Sequence, residues 1–429
     1  MSRDVIGTDT GSSAELEARL VRLAAAAFLV ACVGTAIWRG AFVSGPQRGL
    51  DAQYFYAMGS AWRHGGSPYG REAFAAAWRE EIGTPLPPKT EGGVPAVPTL
   101  MALVLPLAFV PWPAARLVFD AIDVMALVAV VFFAERLAVR AFGTARRPAV
   151  WIGLGLGCLV GGVPAAIYLG QPALLALAGA LGALHFAAAD RSLPAALGVL
   201  AASLKPPIVL LVFVYLLFSG GLRSLLPGIA LVVVTSAAAL AVSWSPELPA
   251  DLARVTRAYR EKGANRPPHV TGLHSLLADT PLPLPAGLPT GLAAAGVATL
   301  GLVEHRRRAA RAHPGVGALR VDARRLVTLA LVLAATAAFV PLKVYDFAIF
   351  VPVFAWLAAK DCRALALALP GLLLVARPNV VRDLVFDAGE RALPASYVAT
   401  IGALAVSLVC AWVLARGPSA PGPSHRAGR

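Results

Sequence analysis

Asp51 opens the run Asp51-Ala-Gln-Tyr54-Phe-Tyr56, and Gly65-Gly-Ser-Pro68-Tyr69 begins fourteen residues later. A carboxylate at the mouth of an apolar helix costs free energy unless it is solvated or paired, so an ionisable group there is a functional candidate. Held in place, it can take a proton from a sugar hydroxyl as a general base. Solvated, it merely caps a turn. Position alone leaves both open.

Other charged groups punctuate the apolar segments. In Lys205-Pro206-Pro207 two prolines stop a helix and leave a lysine at the break. Its compact ammonium suits a phosphate, or it snorkels to an interface. Gly170-Gln171-Pro172 is a turn whose amide can bond a phosphate or a sugar. Asp120 and Asp123 lie one helical turn apart, with Arg116 four residues before Asp120. That spacing suits an i,i+4 ion pair, or the acids face a cavity and hold a hydroxyl. No third ligand accompanies them, so no metal site is expected. Arg254, Arg257, Arg260, Lys262 and Arg266 precede His269 and His274. The first three share a helical face that is either solvated or attracts phosphate or anionic headgroups. In Lys343-Val-Tyr345-Asp346 both charges fall in one short turn, as substrate ligands or as an internal ion pair.

The elements that must position these groups are helices in a membrane. Only 14% of the 429 residues are charged and 58% are hydrophobic, whereas a soluble domain carries roughly 25% charged residues. Mean hydropathy is +0.69, and the apolar segments recur along the whole chain. The net charge of +14 does not indicate a nucleic-acid partner, because the basic clusters flank apolar segments instead of gathering on one soluble face. Cys32, Cys158, Cys362 and Cys410 show no paired spacing, so neither a metal site nor a disulfide framework is read from them, and no cofactor is expected. Residues 1–19 mix acids and bases without a clear cleavage site after 20–37, which reads as a signal anchor.

Apolar segments fall at 20–37, 97–110, 114–135, 149–169, 172–189, 193–204, 207–218, 225–242, 289–303, 326–341, 347–359, 364–376 and 393–415. Several are shorter than the ~20 residues that cross a bilayer unaided. Residues 304–325 hold seven arginines and are placed in the cytoplasm. Counting from there gives about twelve crossings in either of two registers. In one, 97–110 spans and Arg136, Arg140, Arg146 and Arg147 lie outside. In the other, 97–110 lies on the outer surface, the chain turns outside at Lys205, and those arginines lie inside. The positive-inside bias favours the second. The plan is a tail at 1–19, an all-α polytopic domain at 20–415 with outer loops at 38–96 and 243–288, and a tail at 416–429. The first loop's Tyr54, Phe55, Tyr56, Trp62, Tyr69, Phe74 and Trp78 suit short interfacial helices or an aromatic belt. Asp51, Gln171, Lys205 and Lys343 then share the extracytoplasmic side.

Asp51 with Tyr54 and Tyr56, Gly65-Gly-Ser-Pro68-Tyr69, Val97-Pro98, Leu105-Pro106-Leu107, Pro111, Leu169-Gly170-Gln171, and Leu204-Lys205-Pro206 with Leu210-Leu211 stand in a telling order. Together they resemble the polyprenyl-phosphate-sugar-dependent glycosyltransferases of family 87, which have the GT-C membrane fold. The resemblance covers about residues 20–360. It implies a polyprenyl-monophosphate donor, metal-independent inverting transfer to an extracytoplasmic lipid or glycan acceptor, and Asp51 as the base. Mannose is the expected sugar and arabinofuranose the alternative. Lys205 and Gln171, with Arg116 or Arg266, become candidates for the donor phosphate. Tyr54, Tyr69, Asp123, His274, Lys343, Tyr345 and Asp346 are candidates for contact with substrate. The chain departs from the family at 94–98, where many members have Tyr-Pro-Pro, and at Tyr345-Asp346-Phe347, where many have Trp-Asp-His. A lipid or sugar transporter is the rival class, but repeated halves, which such folds usually show, are not visible.

Overall fold

The computed structural model describes residues 10–87, 90, 92–242, 245–278, 280, 284–285, 287–310, 321–380 and 394–416. Among them every regular element is helical. α1 (Thr10–Ile37) starts well before the apolar run at 20, and its first exposed turns carry a Glu15–Arg19 pair at 2.5 Å. Three short helices follow, α2 (Leu50–Arg63), α3 (Arg71–Ala77) and α4 (Pro98–Val104), the last continued by a 3₁₀ turn at Leu105–Phe109. Then come α5 (Trp112–Phe142), α6 (Arg147–Cys158), α7 (Gly162–Leu169), α8 (Ala173–Ala187), α9 (Ser192–Ala202), α10 (Pro206–Leu216) and α11 (Leu222–Val242). The second large connection holds α12 (Leu248–Glu261) and α13 (Leu273–Leu276). α14 (Gly287–Ala309), α15 (Ala323–Phe339), α16 (Phe350–Lys360), α17 (Cys362–Ala376) and α18 (Ala395–Ala415) complete the chain.

Five helical runs are long and apolar enough to cross a membrane: Ser13–Phe42, Trp112–Phe142, Pro206–Val242, Gly287–Ala309 and Ala395–Ala415. α6 and α7 make a sixth if their bent pair counts as one span. Other segments expected to cross are shorter here. α8, for example, has 15 residues and so spans about 22 Å of the ~30 Å hydrocarbon core. α8 is buried on all sides, and α5, α9 and α10 pack around it. Large apolar side chains such as Leu117, Met125, Val233 and Leu408 stay exposed, as a lipid-facing surface requires.

The segment 149–169 reads as one helix in sequence, yet it breaks by 55° between α6 and α7. Close approach explains the break. A Cβ at Gly157 would sit 2.6 Å from Val351 Cα, and one at Gly162 would sit 2.4 Å from the Val344 carbonyl. Without side chains there, the 3₁₀ turn Val344–Ile349 and the start of α16 press directly on the bend. Gly161 N–H, freed by the break, donates to the Ala376 carbonyl at 3.0 Å.

The packing also gathers at one end of the bundle the basic groups that the second register puts on one side. α16 runs back along α15, and Trp356 near its end donates to the Ala134 carbonyl at 3.2 Å. Arg136, Arg140, Arg146 and Arg147 therefore share an end of the bundle with Arg324, Arg325 and Lys360. Arg325, fully buried, donates to Ser219 Oγ at 2.7 Å and puts the end of α10 there too. Asp51, Gln171, Lys205 and Asp346 occupy the opposite end.

A second core forms at that end. Tyr54, Met58 and Trp62 stand at i,i+4 spacing on α2 and pack with Tyr69, Phe74 and Trp78. Tyr54 stacks on Phe74 at 5.7 Å and meets the Trp78 edge at 5.2 Å. The short helices expected in 38–96 are present, but their aromatic side chains turn inward. They do not form a belt, because α4, α11 and α12 supply apolar partners (Met101, Ala239, Leu248, Val255).

Gly162→Val drives a branched side chain into the Val344 carbonyl. It is expected to cost about 1–3 kcal/mol, seen as a Tm several degrees lower in detergent. A wild-type Tm would show that the bend tolerates the volume.

Candidate active site

Asp51 is the second residue of α2, whose N-terminal dipole favours a carboxylate. The preceding turn is tied down from two sides. Gly49, at φ 73°, donates its N–H to the Tyr168 carbonyl at 2.7 Å. Arg48 and Arg116 converge on Asp120, at 3.3 and 2.6 Å. Arg116 thus lies beneath the start of α2, against Gly49, and not in the cavity. Sequence spacing alone explains that pair.

Gln171 follows the C-terminus of α7. Gly170 takes φ 72° there, and Gln171 N–H returns to the Ala166 carbonyl at 2.9 Å, closing a Schellman turn. The turn aims the buried Gln171 amide at Asp51, and its Nε2 donates to Asp51 Oδ2 in a short hydrogen bond. Lys205 stands in the break between α9 and α10, where Pro206 and Pro207 occupy the first helical positions and forgo the N–H groups that would be orphaned. Its Nζ donates to Gln171 Oε1 at 2.8 Å, pairs with Asp346 Oδ1 at 2.5 Å and lies 4.2 Å from the centre of the Tyr345 ring. Asp346 is anchored in turn by the Lys343 N–H, at 3.0 Å. Four polar side chains from four elements form one chain: Asp51, Gln171, Lys205, Asp346.

This chain borders a cavity of about 610 Å³. Asp51, Tyr54, Gln171, Lys205, Lys343 and Tyr345 line one side. Val97, Leu100, Leu204, Pro206 and Pro207 form an apolar wall, and α12 closes over with Val255, Ala258, Tyr259 and Lys262. Burial pushes the Asp51 carboxyl above its ordinary 3.8; Gln171, Lys205 and Lys343 oppose that, and Asp346 adds to it. Burial also lowers Lys343, against the pull of Asp51 and Asp346. The site therefore holds a desolvated carboxylate among cations, with room for a small polar group and an apolar tail.

A family model, glycosyltransferase family 87, matches residues 97–336. The chain belongs to glycosyltransferase family 87. No curated protein and no solved structure matches it. The matched stretch of this transferase carries Gln171, Lys205, Tyr259 and Lys262. Asp51 and the 343–346 turn lie outside it, so geometry brings them to the site.

Several expected residues of the transferase lie elsewhere. Arg266 is exposed and donates Nε to the Arg260 carbonyl at 3.1 Å. His274 is buried beside Ser275, and its neighbour Gly272 bonds Thr400 of α18. Tyr69 supports the cavity from behind, its hydroxyl on the Ala96 carbonyl at 2.8 Å. Asp123 is buried in a small adjoining space with Gln171 and Phe55. Arg254 is held by the Tyr69 carbonyl and Asp251, and Arg257 and Arg260 face outward. Tyr259, Asn265 and Thr90 also line the cavity without having been singled out, and Lys262 appeared only as one base in a cluster. One signal was available: Val255, Ala258, Tyr259 and Lys262 recur at i, i+3, i+4 and i+7 along α12 and the residue that follows it.

Gly170→Ala puts a Cβ 2.6 Å from that of Ala52 and forces a left-handed residue, itself a cost of about 1–2 kcal/mol. Ala52 adjoins Asp51, so both stability and sugar transfer should fall. Unchanged Tm and turnover would show that the Gln171 turn does not depend on glycine.

Proposed function

We propose that this family-87 transferase moves one sugar from a polyprenyl-monophosphate donor to an extracytoplasmic lipid or glycan acceptor, with inversion and with Asp51 as general base. Mannose is the sugar the resemblance favours, and arabinofuranose is the alternative. The observation that carries the reading is Asp51 itself, a half-buried carboxylate held by Gln171 and acted on by Lys205 and Lys343, in a cavity that Lys262 also lines.

The acceptor hydroxyl gives its proton to Asp51 as its oxygen attacks the anomeric carbon. Charge then builds on the departing phosphate, and Lys205, Lys262 and Lys343 offset it in a site that excludes much of the water. Gln171 keeps Asp51 oriented and couples it to Lys205. The wall of Val97, Leu100, Leu204, Pro206 and Pro207 suits the first prenyl units. Placing the site outside rests on the arginines gathered at the other end of the bundle.

Asp51→Asn keeps the shape and removes the base, so transfer from a polyprenyl-phosphate sugar should fall by about 10²–10⁴-fold, with Tm unchanged. Wild-type turnover by that variant would falsify the assignment. The pH profile gives a second check. Transfer needs ionised Asp51 and is lost as pH falls through its pKa. Because burial raises that pKa, the acid limb of kcat/KM should lie above 3.8. A limb at or below 3.8 would argue for a solvated, ordinary aspartate.

A further inference from the structure

The charges around the cavity can be counted in two states of the reaction. Among the described lining residues, Lys205 and Lys343 act on Asp51, Lys262 stands at the exposed rim near the Tyr54 ring, and Asp346 sits behind, paired with Lys205. The phenols of Tyr54, Tyr259 and Tyr345 stay neutral, since burial raises all three above the ordinary 10.0. Three ammonium groups against two carboxylates leave one positive charge. A lipid-phosphate sugar is a phosphodiester with one negative charge, and the lipid monophosphate left after transfer carries close to two.

In the transfer step the acceptor oxygen bonds to the anomeric carbon. The bond from that carbon to the phosphate oxygen breaks, with its electron pair going to the phosphate. The acceptor's proton goes to Asp51. Site and lipid phosphate together are neutral before and after: one positive charge against a monoanion, then two against a dianion.

We propose, resting on the assignment of Asp51 as base, that the cavity is charge-matched to donor and product in turn, and that loss of the proton from Asp51 releases the lipid monophosphate. The two carboxylates are built for different tasks. Asp346 is locked between Lys205 at 2.5 Å and the Lys343 N–H at 3.0 Å, so its charge is committed. Asp51 is held by a neutral amide, which tolerates either protonation state of the acid. Burial raises the Asp51 carboxyl and favours the protonated state that retains the dianion. When the proton leaves, the cavity returns to one positive charge, and the dianion is held more weakly than an incoming donor.

Binding of dodecyl phosphate, a dianion at about pH 8, and of dodecyl methyl phosphate, a monoanion, tests this by calorimetry on the full-length protein in neutral detergent. Wild type should take up about one proton per dodecyl phosphate bound and none with the methyl ester, read from heats in buffers of different ionisation enthalpy. Asp51→Asn, with its charge set as if protonated, should shift the ratio of the two Kd values toward the dianion by about tenfold or more, without proton uptake. Equal ratios in the two proteins, or wild-type binding of dodecyl phosphate without proton uptake, overturn the proposal. The wild-type measurement stands even if the variant misfolds. Sugar transfer separates the two ideas: an active Asp51→Asn protein removes the base assignment, whereas an inactive one with an unshifted ratio removes only charge-matched release.

Discussion

The amide of Gln171 can satisfy its two neighbours in one orientation only, and the site depends on that. A carboxylate offers no donor and an ammonium no acceptor, so Nε2 must face Asp51 and Oε1 must face Lys205. The amide thus carries orientation from one charged group to the other without neutralising either. A second carboxylate, Asp346, balances Lys205 directly. In a chain this apolar, unpaired charges would cost several kcal/mol each. Pairing one lysine firmly leaves Asp51 free to change its protonation.

Each member of the chain sits where a helix ends. Asp51 is at the start of α2, Gln171 between α7 and α8, Lys205 between α9 and α10, and Asp346 in the 3₁₀ turn before α16. Helix ends leave backbone groups to be satisfied, and other breaks supply the partners. Gly49 donates to the Tyr168 carbonyl, and Thr271 donates to that of Leu342. Several interrupted helices therefore support one another at one end of the bundle. The arginines hold the other end, where buried Arg325, Tyr215 and Glu304 lock α10, α14 and α15 together.

The polar residues gathered at the cavity were more legible in the sequence than their neighbours. Asp51, Gln171, Lys205, Lys343, Tyr345 and Asp346 stand out because a polar group beside a proline, a glycine or a helix end in apolar sequence needs a reason. Arg116 and Arg266 stood out too, for their charge, yet one clamps Asp120 and the other an Arg260 carbonyl. Charge marks a residue without saying which way it points. Lys262 and Tyr259 were hidden by the reverse problem: Arg254, Arg257 and Arg260 crowd the same stretch, and only the seat of α12 over the cavity shows which of their neighbours line it.

By itself the sequence determined the solvent and the class. Its apolar runs and sparse charge require helices in lipid, and the order of its motifs points to the transferase family, because both are properties of local composition and spacing. Tertiary structure decided what those residues are to one another. Residues 51, 171, 205 and 346 are joined only when four chain breaks meet. The break between α6 and α7 is set by Gly157 and Gly162 admitting the 344–351 segment, and a hydropathy pattern carries no record of such an approach. Whether the first loop's aromatics faced lipid or each other was likewise settled by partners more than 150 residues away, Leu248 and Val255. Burial is a property of the assembled surfaces, and one stretch of chain cannot specify it.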